Sequence, residues 1–454
     1  MELDMTKGKP MQLLLKFMLP LILGNVFQQF YNMVDTIIVG RFVGVEALAA
    51  VGATGTIMFL IFGFTMGLST GFTVLTAQRF GAGDREGLKK TVGNATTLTL
   101  IITVAMTILS VLFMDEILTA MNTPENIYAM SKQYIVIVCV GMIFSSLGNL
   151  TGSLLRAVGN SKIPLYSMIA GTILNIVLDL LFVVVIPMGV AGVAIATVIA
   201  QATGGFICLF YIIKKVPLMH IAKEDLRLEM DCAGRQIRIG LPMALQFSIT
   251  AVGTILVQAV LNLFGSTAIA AYTAACKVEQ LVTQPYNAMG MTMATYSAQN
   301  MGVYDLERIR KGNRIANGLS AVYSVVVFGV VVVLLQPLIN LFVGDASAEV
   351  MSYAKTYIYL CGTCFIPLGM IFIFRNILQG CGFAVMPMLG GVVELVCRIV
   401  AAAFAVKLNS FAGVCMANAS SWLVTGIFLA IAYLFTMRKL RLAERKEPLV
   451  QKTA

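Results

Sequence analysis

Charge is scarce in this sequence. Only 12% of its 454 residues are Asp, Glu, Lys or Arg, about half the roughly 25% of an ordinary soluble chain. That is too little polar surface to cover a water-facing body. With 58% hydrophobic residues and a mean hydropathy of +0.87, most of the exterior must meet an apolar medium, which makes this an integral membrane protein. Histidine is scarcer still. The single one, His220, lies in a charged central stretch, which excludes a His-based zinc site and a His-dependent triad. No Gly-x4-Gly-Lys-Ser/Thr loop is present, so ATP-driven transport within this chain is not expected. The nine cysteines lack paired spacing except Cys361-Gly-Thr-Cys364, which sits in an apolar run without a second pair, and they read as small core hydrophobes. No enzyme chemistry is expected, and any energy source is an ion gradient or a partner subunit.

What is abundant is apolar sequence. A helix needs about 20 mostly apolar residues to cross a bilayer. Twelve runs qualify, at roughly 17–39, 54–77, 95–114, 134–154, 164–186, 190–213, 240–264, 275–298, 316–343, 356–378, 387–406 and 412–436. The first is too long and too polar, with Asn25, Gln28, Gln29, Asn32 and Asp35, to read as a removable signal peptide. The net charge of +10 would suit nucleic acid only if the basic residues formed a continuous stripe. They sit instead in short clusters between apolar runs, so no nucleic-acid partner is expected. An even number of spans with the clusters on the cytoplasmic side leaves only Arg41, Lys132, Lys355 and Lys407 outside. The positive-inside bias then makes both termini cytoplasmic in a multi-pass plasma-membrane protein.

The halves repeat. Gly44-x-x-Ala47-x-Ala49-Ala50 recurs as Gly265-x-x-Ala268-x-Ala270-Ala271, and Ala77-Gln78 with Gly81 and Asp84 recurs as Ala298-Gln299 with Gly302 and Asp305. Tyr134 pairs with Tyr357, Gly159-x4-Pro164 with Gly382-x4-Pro387, and Ala191-Gly192-Val193 with Ala412-Gly413-Val414. Such symmetry marks many transporters. The expected fold is all-α, with twelve transmembrane helices in two parallel six-helix lobes about a pseudo-twofold axis along the membrane normal. The expected parts are an N-lobe at 1–213, a cytoplasmic linker at 214–238, a C-lobe at 239–437 and a basic tail at 438–454.

Ionisable groups at bilayer depth mark pathways or ion sites. In span 1, Gln28, Tyr31, Asn32 and Asp35 share a helical face. Packing glue would explain the amides, but a carboxylate is a poor choice for glue. Pro20 either bends this helix or is a tolerated membrane proline. Span 5 carries Asn175 and Asp179 at i, i+4, span 6 adds Thr197, and span 4 begins with Tyr134. Two carboxylates held together favour one shared proton, and the same oxygen set would hold Na⁺. The residues leave H⁺ and Na⁺ both open.

The second half is no copy of this set. Val257, or Leu256 by the neighbouring offset, stands where Asp35 would be, and Ala402 where Asp179 would be. Its own charges are Glu279, which with Lys277 suggests an entrance pair, and Glu394 with Arg398 at i, i+4. A local ion pair explains the latter two, and a gating or substrate role is the alternative. The 27 methionines and 26 phenylalanines suit a promiscuous cavity, though a membrane protein also uses them to fill volume.

In order and in register, these residues resemble the multidrug and toxic compound extrusion (MATE) family over nearly the whole chain. The stretches that carry the likeness are Pro20-Leu-Ile-Leu-Gly through Asp35-Thr-Ile-Ile-Val-Gly40, Ala77-Gln78-x-x-Gly81-Ala-Gly83-Asp84, Arg156-Ala-Val-Gly159-Asn160-x-Lys162-x-Pro164, Asn175-x3-Asp179 and Ala298-Gln299-Asn300-Met-Gly302. The resemblance implies antiport, in which H⁺ or Na⁺ enters while amphipathic, often cationic compounds leave by alternating access. It implies a cation-coupling network at Asp35, Tyr134, Asn175, Asp179 and Thr197, substrate contacts at Gln28, Tyr31 and Asn32, and a bend at Pro20. Pro20, Glu279, Glu394 and Arg398 are the candidate gating residues. No metal beyond Na⁺ at Asp35, Asn175, Asp179 and Thr197 is expected, and no cofactor beyond the coupling ion. The acidic residues that one branch of the family carries in the first C-lobe helix are missing from 240–264, which argues against a C-lobe Na⁺ site.

Three functions compete. A cation-coupled exporter needs Asp35 as its exchange switch. A flippase for lipid-linked precursors would want several basic residues in the cavity, where only Arg398 lies deep in a span. A non-transporting receptor or scaffold would have no need of Asp35 and Asp179. The exporter is the preferred reading, acting as a monomer on small-molecule substrates among membrane lipids.

Overall fold

The computed structural model describes residues 2–343 and 346–446. The side chains of Arg445 and Lys446 and the rest of the basic tail, Lys452 included, lie outside the described residues. The described chain is helical and contains α1 (Pro10–Ile38), α2 (Val45–Gly81), α3 (Arg85–Leu112), α4 (Met114–Ala120), α5 (Glu125–Val140), α6 (Met142–Ala157), α7 (Lys162–Leu180) and α8 (Gly189–Lys215). After a short linker come α9 (Met230–Leu261), α10 (Gly265–Gly302), α11 (Leu306–Val333), α12 (Leu335–Val343), α13 (Ala348–Gly362), α14 (Phe365–Gly380), α15 (Val385–Lys407) and α16 (Phe411–Lys446).

Among the described residues, nine continuous stretches are long and apolar enough to cross a bilayer. One of them, Met230–Gly302, comprises α9 and α10, which separate at Gly265 (φ 84°). Two bent pairs, α5–α6 at 48° and α13–α14 at 50°, each form one further span. The twelve expected spans are therefore all present. Several helices run well past their apolar cores: α10 covers Gly265–Gly302 where hydropathy marks only 275–298, because a helix continues into water as long as its polar face is solvated.

The repeated Ala-Gln-x-x-Gly-x-x-Asp motif is a helix-to-helix corner. Asp84 caps α3 by accepting the Gly87 N–H at 2.9 Å, and Asp305 caps α11 by accepting the Arg308 N–H at 2.8 Å. Such caps satisfy backbone donors that a helix start leaves open.

The chain divides into two compact units, and two of the divisions fall inside helices. Unit 1 is Leu19–Phe247 with the residues up to Asp4, and unit 2 is Met5–Met18 with Ser248 onward. The first cut precedes Pro20 in α1, and the second follows Pro242 in α9. Unit 1 is built on the crossings of α7 with α8, α6 with α8 and α2 with α6; unit 2 repeats the plan with α15 on α16, α14 on α16 and α10 on α14. The start of α9 is bound within unit 1, where Gln236 donates to Thr91 O at 2.8 Å and to Phe72 O at 3.3 Å. The N-terminal segment is bound within unit 2, where Met5 N–H donates to Gln299 Oε1 at 2.8 Å and Met5 O accepts Arg308 Nε at 3.0 Å.

Close crossings need small residues, since helices in lipid gain their contact from packing rather than from escape from water. A β-carbon on Gly67 would sit 2.7 Å from Ala244 Cα, whereas one on Gly55 would meet nothing within 4 Å. Gly67→Ala is expected to destabilise the purified protein by about 1–3 kcal/mol through overpacking, lowering its melting temperature in detergent. Gly55→Ala, on the same helix, should leave it unchanged or slightly higher. Equal melting temperatures for the two variants would contradict the crossing.

Candidate functional site

Three helices of unit 1 bring the polar residues together. On α7, Ser167, Gly171, Asn175 and Asp179 follow one another at four-residue spacing and form one face. On α8, Thr197, Gln201 and Gly204, at spacings of four and three, also share one face. A β-carbon on Gly171 would lie 3.1 Å from Ala200 O, so the absence of one lets α7 and α8 approach, and Ser167 Oγ then donates to Gly204 O at 2.7 Å. α1 lays Gln28, Tyr31 and Asp35 against this pair of helices.

The centre of the site is two carboxyl groups. Asp35 of α1 and Asp179 of α7 lie close enough to act on one another, and two neighbouring carboxyls favour one shared proton. Asp179 and Asn175 are fully buried. Asn175 donates its amide N–H to Asp179 Oδ2 at 2.8 Å and accepts the Thr197 backbone N–H at 3.2 Å, the orientation that satisfies both ends of the amide. Tyr31 lies within hydrogen-bond reach of Thr197, and Tyr134, brought in by α5, acts electrostatically on both carboxyls. All five expected coupling residues therefore meet in one place.

Two features of the pair are chemically telling. No lysine, arginine or histidine among the described residues forms an ion pair with either carboxyl. Asp35 Oδ1 and Asp179 Oδ1 are buried without a hydrogen-bond partner. Buried charges and buried lone pairs are normally matched, so this arrangement invites an exchangeable cation. The donor set of two carboxyl groups, an amide and hydroxyls suits H⁺ or a hard ion such as Na⁺.

A cavity of ≈ 140 Å³ opens beside the pair, lined among others by Gln28, Tyr31, Asn175, Thr197 and Gln201. Drug-sized ligands occupy roughly 300–1,000 Å³, so the cavity as it stands is smaller than a drug-sized site. Gln28 and Tyr31 border it, while Asn32 stays exposed, joined to Gln28 at 3.4 Å. Ser167, Thr172 and Gln201 complete the lining. They were legible as residues sharing the faces of Asn175 and Thr197.

Two short π-helical segments were not legible. Val39–Val43 continues α1 directly after the Asp35 turn, Leu181–Val185 continues α7 directly after Asp179, and the two segments pack on each other. π turns are frequent at functional sites.

The remaining candidates are placed differently. Pro20 lies within α1 of unit 1. In unit 2, Glu279 accepts a hydrogen bond from the hydroxyl of Tyr357, while Lys277 is exposed, so the expected Glu279–Lys277 pair is not the contact formed. The local pair of Glu394 and Arg398 is present at 2.7 Å, and a residue not expected there, Arg375, reaches Glu394 at 3.4 Å.

A family model described as MatE matches residues 20–181 and 242–404. The probable multidrug resistance protein YoeA of Bacillus subtilis (strain 168) is 30% identical over 338 residues, 72% of this chain and 73% of that protein. The probable multidrug resistance protein YpnP of the same organism is 26% identical over 385 residues, 84% of each chain. Among solved structures, one titled "Crystal structure of MATE in the bent conformation" superposes with a TM-score of 0.90 over 97% of this chain and 98% of that chain, at 20% identity. The fold is the same.

If Asn175 holds Asp179, Asn175→Leu strands Asp179 Oδ2, at about 1–3 kcal/mol for a buried group left unsatisfied. The purified variant should melt several degrees below wild type, and Val177→Leu on the exposed face of α7 should not. An unchanged melting temperature in Asn175→Leu would show that the amide carries no such load.

Proposed function

The chain belongs to the MatE family of membrane transporters, and from that membership we propose a secondary active antiporter. It exports amphipathic, cationic compounds in exchange for H⁺ or Na⁺ by alternating access. The observation that carries the reading is the Asp35–Asp179 pair: two carboxyls on different helices, Asp179 fully buried and held by Asn175, and Asp35 partly exposed, with no ion pair to a basic residue among the described residues. Such a pair is stable with one positive charge bound and unstable without it. An entering proton or Na⁺ supplies that charge, and a cationic substrate approaching along the Gln28–Asn32 face of α1 competes for it. Competition of this kind is the elementary step of exchange, because a site that binds either partner and never both ties the movement of one to that of the other.

Multidrug resistance in the names of YoeA and YpnP supports drugs or drug-like metabolites as cargo. The clusters of Lys and Arg between apolar spans support cytoplasmic termini in the plasma membrane. Asp35 on α1 is the switch of the pair, since it is the partly exposed member, while Asp179 is fully buried behind it.

The test is retention of a fluorescent cationic dye in cells producing wild type, Asp35→Asn or Asp179→Asn at equal membrane levels. Wild type should lower retention, and both variants should match cells without the protein. Abolition by a protonophore or by removal of Na⁺ then identifies the ion. Equal retention in wild type and Asp35→Asn would contradict the proposal.

A further inference from the structure

Unit 2 carries a charge cluster that the exchange described above does not use, and the repeat says where it stands. Under the shift that pairs Gly159-x4-Pro164 with Gly382-x4-Pro387, Asn175 falls on Arg398 and Gly171 on Glu394. In unit 1 both residues line the cavity that Tyr31 and Thr197 border. Gly152 of α6 falls on Arg375 of α14 under the same shift. Where unit 1 sets an amide and two glycines, unit 2 therefore sets two arginines and a glutamate.

All three lie on helices that cross the bilayer. Arg398 stands thirteen residues into α15 from Val385, about 20 Å along a helix axis, and Arg375 five residues before the end of α14 at Gly380. Their guanidinium groups converge on one carboxylate. Arg398 Nη2 is 2.7 Å from Glu394 Oε1, and Arg375 Nη2 is 3.4 Å from Glu394 Oε2. No other acid forms an ion pair with either arginine among the described residues; Glu279 takes its hydrogen bond from Tyr357. A β-carbon on Gly253 of α9 would lie 2.9 Å from Arg398 Nη1, so the bare glycine lets the guanidinium lie against that helix. α9 is the counterpart of α1, and Gly253 falls on Tyr31 or Asn32 under the shifts that set Val257 or Leu256 at Asp35.

Two positive charges thus meet one negative charge, and burial makes the surplus expensive. Glu394 and Arg398 are each 7% exposed, and Arg375 keeps 11% of its side-chain surface. The Nε atoms of both arginines are buried without a hydrogen-bond partner. An arginine that merely reached interfacial water would expose its head group, and an ion pair built for packing needs one arginine per glutamate. A charge left uncompensated inside a protein costs several kcal/mol, and the same holds at bilayer depth. A guanidinium keeps its charge at any accessible pH and presents five donors in a rigid fork, so the surplus cannot be removed by loss of a proton. What matches it is an acceptor bearing one negative charge.

We propose that Arg375 and Arg398 form an anion site in unit 2, and that it takes a monoanion: a halide ion, or the carboxylate group of a cargo molecule. Glu394 holds the two guanidinium groups together and cancels one of their charges. A single negative charge then balances the cluster, whereas a dianion such as sulfate overshoots. The two units thereby repeat one plan with opposite polarity, acids at the fifth span of the first half and arginines at the fifth span of the second. The site concerns unit 2 alone and does not rest on cation exchange at the Asp35–Asp179 pair.

Titration calorimetry on the purified full chain in detergent, in a halide-free sulfonate buffer, measures the site with sodium bromide, sodium benzoate and sodium sulfate as probes. Bromide should bind wild type saturably, and sulfate about tenfold more weakly or not at all. Arg375→Gln leaves a balanced Arg398–Glu394 pair and therefore a folded protein. It should weaken bromide by about tenfold or more, the loss expected for one charge-assisted hydrogen bond, and Arg375→Lys should restore part of it. Bromide should also raise the melting temperature of wild type and not that of Arg375→Gln, because a ligand stabilises only the form that binds it. Displacement of bromide by benzoate identifies a site open to cargo carboxylates, and bromide binding without displacement identifies an inorganic anion. Absence of saturable binding by either probe overturns the site, as does equal bromide affinity in wild type and Arg375→Gln. Asp35→Asn should bind bromide like wild type, so this proposal and the exchange reading fail separately.

Discussion

Two neighbouring carboxyl groups inside an apolar helix bundle tolerate one negative charge between them, and the rest of unit 1 is arranged around that constraint. Among the described residues the pair has no arginine or lysine partner, which is why the proposed exchange places its balancing charge on an ion. Asn175 fixes Asp179 from below and spends its carbonyl on the Thr197 backbone, which locks the amide in one orientation. The small residues of α7 and α8 permit the close crossing that Asn175 needs, and Tyr31 and Tyr134 close the sides. The π segments after Asp35 and Asp179 interrupt the regular hydrogen-bond ladder where the two acidic helices meet, so the backbone there is already departing from an ideal helix. A cavity of ≈ 140 Å³ lies beside these residues.

Unit 2 keeps the same helical plan and changes the charges. It puts tyrosine and asparagine at the positions of Tyr134 and Thr197, draws its acid from α10, and adds two arginines on one glutamate. Donors replace acceptors around the carboxyl.

The twelve spans and the repeat were legible because a bilayer demands long apolar runs and duplication preserves spacing. The face of Asp35 and the pair Asn175–Asp179 were legible because helical neighbours lie three or four residues apart. What could not be read was everything set by distant partners. Glu279 meets Tyr357 across 78 residues, whereas Lys277, two residues away, points elsewhere; Arg375 reaches Glu394 across 19. The bends at Gly141 and at Thr363–Cys364, the π segments, and the assignment of the first halves of α1 and α9 to different units depend on packing that no local pattern encodes. Gln28 and Tyr31, read as cargo contacts, line the cavity beside Asn175 and Thr197.

The central claim is that cation and substrate compete for the Asp35–Asp179 pair. It is tested most directly by titrating purified protein in detergent with ethidium, following its fluorescence anisotropy across a range of pH and Na⁺ concentration. The account predicts that the apparent Kd rises as protons or Na⁺ are added, and that Asp35→Asn removes this dependence. An affinity in the wild type that ignores both ions would contradict it.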